Sequence, residues 1–110
     1  MKGKLLALAS ALFLVFSSAV LSAEASHAAQ ALEHANAAVT HGEAKHADVL
    51  TQHAEEALKH AKAAQAEKAN PHMATGIEHL QQAVEHGKLG HADVATTHAK
   101  EAVTHIKAAQ

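Results

Sequence analysis

The sequence contains no cysteine, no tryptophan and no tyrosine, and its two phenylalanines, Phe13 and Phe16, both fall in the first twenty residues. Without cysteine there is no disulfide framework, no thiolate ligand, no closed zinc site of the cysteine type and no C-x-x-C-H for haem attachment. Without aromatics the core must be built from small aliphatic side chains. A chain of 110 residues already buries only a modest fraction of its surface, so the metal-free fold is expected to be marginal unless its helices approach very closely. Arginine is missing too, since all nine cationic residues are lysines, which removes the bidentate fork that suits phosphate. Eleven acidic residues nearly balance them, giving a net charge of −2. No strong field attracts nucleic acid or a membrane surface. No Ser/His/Asp or Cys/His arrangement can be singled out and H-E-x-x-H is absent, so an enzyme is not expected and no catalytic residue is assigned.

Residues 1–25 have the pattern of a cleavable secretory signal. Lys2 and Lys4 form a positive start, Leu5 to Leu21 an apolar run, and Ala23-Glu24-Ala25 an A-x-A-like processing site. Processing is expected after Ala25, with Ala23 as the alternative. The apolar run is short for a spanning helix and contains Ser10, Ser17 and Ser18, so no membrane association is expected after processing.

The remainder, residues 26–110, repeats itself. Residues 27–65 align without a gap on 72–110, an offset of 45 that carries His27 onto His72, His46-Ala-Asp-Val onto His91-Ala-Asp-Val and Gln65 onto Gln110. Asn70-Pro71 between the units reads as an N-cap followed by Pro at the first helical position. Gly42 and Gly87 divide each unit again, at points where a helix can end on a left-handed residue. Ala, Glu, Lys and Gln dominate the flanks, and all are good helix formers. The pattern predicts helices over about 27–41, 46–66, 71–86 and 91–109.

Apolar residues recur every seven positions. With His at heptad position g, position a holds Ala28, Ala35, Ala47, Ala54 and Ala61, and position d holds Ala31, Ala38, Leu50, Ala57 and Ala64. Larger residues stand at e: Leu32, Val39, Leu58, Ile77, Val84 and Val103. Small residues at a and d let antiparallel helices come close, and the e residues can seal one hairpin on the other. The predicted fold is all-α, with two sequence-duplicated antiparallel helical hairpins forming a four-helix bundle. A monomer is expected.

What the chain has in excess is histidine, twelve in all. His27, His34, His41, His46, His53 and His60 recur in the second unit as His72, His79, His86, His91, His98 and His105. Neighbours within a helix are seven residues apart, roughly 10.5 Å along the axis, too far to share one ion. About each turn, however, the positions are mirror images. Folding the hairpin back brings 27 level with 60, 34 with 53 and 41 with 46, and likewise 72 with 105, 79 with 98 and 86 with 91. Carboxylates can complete some sites. Glu56 is i+3 from His53 and i−4 from His60, and Glu101 relates to His98 and His105 in the same way, which also allows a rival same-helix site. Asp48 and Asp93 lie near the turns, whereas Glu33 and Glu78 directly precede a histidine and should point elsewhere. Imidazole with occasional carboxylate suits Cu(II), Ni(II) and Zn(II), and the usual affinity order puts copper (Cu2+) first. Many similar open sites describe a buffer or store better than a catalytic centre.

The apolar start, the histidine every seven residues, the repeated His-Ala-Asp-Val and Glu-Ala-Val/Leu-x-His segments and the lack of cysteine together resemble the small metal-binding protein family, periplasmic proteins of ammonia-oxidising bacteria. The resemblance covers essentially all of residues 26–110. It implies several bound divalent ions with copper preferred, a periplasmic location and a part in copper homeostasis or storage, with the twelve histidines as the matching positions. Two other functions are open at this point. Twelve imidazoles titrating together make a pH-responsive structural or interaction protein, and a metal chaperone delivering copper to a partner would share the same ligands.

Overall fold

The computed structural model describes residues 25–110; the signal segment and its processing site lie outside the described residues, apart from Ala25. Four helices follow one another: α1 (His27–Glu43), α2 (Ala47–Glu67), α3 (Pro71–Lys88) and α4 (Ala92–Ala108). None of them is long and apolar enough to cross a membrane. α1 packs on α2 and α3 on α4 as antiparallel hairpins. Between hairpins α2 lies beside α3 and α1 beside α4, with a thinner diagonal contact of α2 and α4. The result is the four-helix bundle of two hairpins that the heptads predict.

Asn70-Pro71 starts α3 as read, and Ser26 caps α1 in the same manner. Ser26 Oγ accepts the Ala29 N–H at 3.1 Å. Asn70 Oδ1 accepts the N–H groups of His72 and Met73 at 2.8 and 3.3 Å, with Pro71 at the first turn of α3. These caps satisfy N–H groups that have no partner inside the helix.

The stop signals differ from expectation. α1 runs through Gly42 to Glu43 and α3 through Gly87 to Lys88. The left-handed residues are Lys45 (φ 67°) and Gly90 (φ 80°). At the first turn Lys45 N–H donates to Gly42 O and His46 N–H to His41 O, both at 2.9 Å; at the second, Gly90 donates to Gly87 O and His91 to His86 O at 3.0 and 2.9 Å. This pair of bonds is the Schellman ending, and it requires a left-handed residue two positions past the last helical one. Gly42 and Gly87 serve another purpose, namely close approach. A Cβ on Gly42 would lie 2.1 Å from Thr96 Oγ1, and one on Gly87 2.1 Å from Thr51 Oγ1. The two contacts are equivalents under the duplication, and they bring α1 against α4 and α3 against α2.

The core is the a/d stripe. Ala31, Ala35, Ala38, Ala54, Ala57, Ala61, Ala83, Ala95, Ala99 and Ala102 are fully buried, with Leu50, Leu80 and Ile106 the largest fully buried side chains. Each large residue stands where the other half has alanine: Leu50 against Ala95, Leu80 against Ala35, Ile106 against Ala61. Gly76, in the place of Ala31, makes room for Ile106, whose Cγ1 would lie 3.0 Å from a Cβ there. The e residues Leu32, Leu58, Ile77 and Val103 are half-buried against this core. Three surface ion pairs cross between hairpins: Lys45 with Asp93, Lys100 with Glu43 at 3.0 Å and Lys88 with Glu55 at 3.2 Å. The last two are equivalents under the duplication, but with the charges exchanged.

Candidate metal centre

The heptad puts every histidine on the g flank of its helix, beside the a/d core, so that each hairpin carries its six imidazoles along the seam between its own two helices. The level partners meet. His27 and His60 approach Nδ1 to Nδ1 at 3.0 Å, His34 and His53 at 3.3 Å, His72 and His105 at 3.3 Å, and His79 and His98 at 3.1 Å. At these separations a neutral ring with its proton on Nδ1 can donate to the bare Nδ1 of its partner. Two nitrogens roughly 2.0–2.1 Å from one ion and separated by these distances subtend about 100° at it, between the square and tetrahedral angles. An ion in place of the shared proton would sit to one side of the line between the nitrogens, reached by turning both rings towards it.

The pairs nearest the turns are looser. Ring centroids of His41 and His46 lie 6.3 Å apart and those of His86 and His91 5.9 Å, and no ring–ring hydrogen bond joins them. Their rings are positioned through the main chain instead, because the His41 and His86 carbonyls accept the His46 and His91 N–H groups that close the Schellman turns. The Nδ1 of His86 is buried without a hydrogen-bond partner among the described residues. A buried polar atom of this kind calls for a partner, and a metal ion bound at this pair would supply one.

The mirror predicts separate pairs, but the structure joins them. His34 stacks on His60 at 5.9 Å with ring planes 2° apart, and His41 on His53 at 5.3 Å and 5°. His79 with His105 and His86 with His98 repeat the arrangement at 5.8 and 5.7 Å. Each hairpin thus carries a zigzag ladder, in the order 27, 60, 34, 53, 41, 46 for the first. Its cause is elementary: helical side chains lean towards the N-terminus of their helix. In an antiparallel pair His34 and His60 lean towards one another, while the opposite diagonal, His27 and His53, leans apart.

The same lean places the carboxylates. Glu56 joins His60 and His34, with one ligand atom from each within 4.8 Å of the others, and Glu101 joins His105 and His79 likewise. The carboxylate therefore completes a diagonal site spanning both helices. It forms neither the level pair His34/His53 nor the same-helix set His53/Glu56/His60 that its sequence spacing allows. Asp48 and Asp93 enter no such group, and Asp93 instead pairs with Lys45. Glu33 and Glu78 are exposed, away from the ladders.

Burial pushes the His53 imidazole below its ordinary value of 6.5, the neighbouring His34 and His41 push it further down, and Glu56 opposes them. His98 behaves identically among His79, His86 and Glu101. The shift favours the neutral form of these two central rungs, the form that ligates a metal.

A family model described as small metal-binding protein matches residues 1–109. The chain belongs to the small metal-binding protein family. Membership makes metal ions its partners, and the donor sets fit: nitrogen donors at chelating separation and two His–Glu–His groups able to hold an ion. No curated protein matches the chain.

Proposed function

We propose that this member of the small metal-binding protein family is an exported, non-enzymatic buffer and store for divalent transition-metal ions, with Cu(II) preferred, working in the periplasm. The observation that carries the reading is the pair of six-rung imidazole ladders. Many near-equivalent nitrogen donors on a helical surface load and release ions one at a time, which suits a reservoir. Among divalent ions, nitrogen-rich and thiol-free ligation favours copper over nickel and zinc. Export is supported by the signal pattern of residues 1–25. Calorimetric titration of the purified chain at neutral pH with Cu(II), Ni(II) and Zn(II) in turn tests the reading. Several Cu(II) per chain, held more tightly than the other two, is the expected result. Fewer than about one Cu(II) per chain, or a strong preference for Zn(II), would overturn it.

A further inference from the structure

We propose that each ladder has two mutually exclusive ways of holding metal, and that the load decides between them. The first ion on a hairpin occupies the diagonal site His34/Glu56/His60 (His79/Glu101/His105 in the second hairpin), and further ions dissolve that site and redistribute onto the level pairs. The inference rests on the metal-buffer reading and concerns how the same imidazoles are shared.

The argument begins with the lone pairs. A neutral imidazole has one bare nitrogen and one N–H, so at neutral pH it ligates one ion. His34 has two neighbours competing for that nitrogen, His53 at 3.3 Å and the Glu56/His60 group within 4.8 Å. His60 likewise stands between His27 at 3.0 Å and the same diagonal group. While the diagonal site is filled, neither of these level pairs can be complete. A hairpin in the diagonal arrangement holds one three-ligand site and can add only one pair more, His41 with either His53 or His46, leaving two rings unused. In the level arrangement all six rings are used in three two-ligand sites.

The two arrangements therefore win under different conditions. A single ion gains from the third ligand and from the carboxylate charge. Charge-assisted contacts are the stronger ones, and Glu56 is the anionic group among the atoms gathered at that point of the ladder. When metal is abundant, three ions with two ligands each outcompete one or two with more. The ladder binds tightly when metal is scarce and widely when it is plentiful, without any rearrangement of the helices, because the rungs of both arrangements already stand at 5.2–6.3 Å between ring centroids.

The test is Cu(II) titration of the chain and of Glu56→Gln/Glu101→Gln at neutral pH, followed by calorimetry and by electron paramagnetic resonance. Both glutamates lie outside the core, and circular dichroism checks that the variant folds. The unaltered chain should bind in two classes. The spectrum of the first two equivalents, one per hairpin, should carry carboxylate coordination and should be replaced, not merely joined, by an imidazole-only spectrum as more copper is added. The variant should lose affinity in the first class by roughly tenfold or more, a loss typical of altered metal surroundings, yet reach the same saturating number of ions. If the variant saturates with two ions fewer, the carboxylate sites stand beside the pairs and exclusivity is wrong. If the unaltered chain shows one class with no dependence on the glutamates, the diagonal site is not filled and the proposal fails while the buffer reading survives. If neither chain binds copper, both fail.

Discussion

Gly42 lies so close to Thr96 that a Cβ on the glycine would stand 2.1 Å from the threonine Oγ1, which is itself bonded to the Ala92 carbonyl at 2.6 Å. The threonine is buried and cannot swing away without losing that bond. Two effects compete in Gly42→Ala. Helix propensity favours alanine by about 1 kcal/mol, and overpacking costs about 1–3 kcal/mol. The clash should win, so Gly42→Ala and Gly87→Ala should each lower the urea midpoint. Adding Thr96→Ala to the first, or Thr51→Ala to the second, should recover part of the loss. A Gly42→Ala variant more stable than the parent would show that the helices separate freely at this point.

Lys45 holds φ at 67° where the duplicated half has Gly90 at 80°. A left-handed conformation costs a side-chain-bearing residue about 1–2 kcal/mol. Lys45→Gly should therefore stabilise the metal-free bundle by about 1 kcal/mol, less the small worth of the exposed Lys45–Asp93 pair. Gly90→Ala should destabilise by a comparable amount. Chemical denaturation of the three proteins decides, and loss of stability in Lys45→Gly would mean that the ion pair outweighs the backbone.

How much of this was legible in the residues depends on what each signal measures. The period of seven placed the alanines in the core and the histidines on one flank, and the mirror about each turn placed 34 opposite 53. The turns were harder, because glycine marks both left-handed backbone and close approach, and Gly42 does the second while Lys45 does the first. The diagonal site was hidden for a different reason. Sequence spacing fixes Glu56 near both His53 and His60, but only the lean of the side chains, reversed between antiparallel helices, brings His34 to His60 and leaves His53 out of the group.

Acid should weaken the metal-free protein. His53 and His98 have folded values below 6.5, first through burial and then through neighbouring imidazoles, so the unfolded chain binds more protons than the folded one below that pH. Stability then rises with pH through this range. The contribution is fully present above the unfolded value near 6.5 and is lost as pH falls through the lower folded values. Melting temperature should be flat from about pH 8 to 7 and fall below about 6.5. Replacing both residues by Gln should flatten the fall, and an unaltered slope in that variant would assign the acid sensitivity elsewhere.

Metal should raise the melting temperature in proportion to the logarithm of its free concentration, since ions bridging α1 to α2 or α3 to α4 bind the folded chain preferentially. At a hundredfold excess over the dissociation constant the gain is about 2.7 kcal/mol per site. A melting curve indifferent to saturating Cu(II) would mean that the ligands do not bridge helices.

Continuity of the ladder can be separated from fixed pairing by counting ions. Removing His34 and His53 together should lower the saturating copper by one, as should removing His34 alone. The instructive variant is His34→Ala/His46→Ala. Fixed level pairs would lose two ions. In the ladder, His53 turns to His41, 5.3 Å away, while His27 keeps His60, and only one ion is lost.

The exchanged charges of two of the crossing ion pairs make the halves complementary instead of interchangeable. Glu43 meets Lys100, and its duplicate Lys88 meets Glu55. Two copies of the first half placed together would set glutamate against glutamate at both crossings, and two copies of the second would set lysine against lysine. Cut between Glu67 and Asn70, the halves should find each other before they find themselves. In the uncut chain the same asymmetry discourages neighbouring molecules from trading hairpins through like-paired halves.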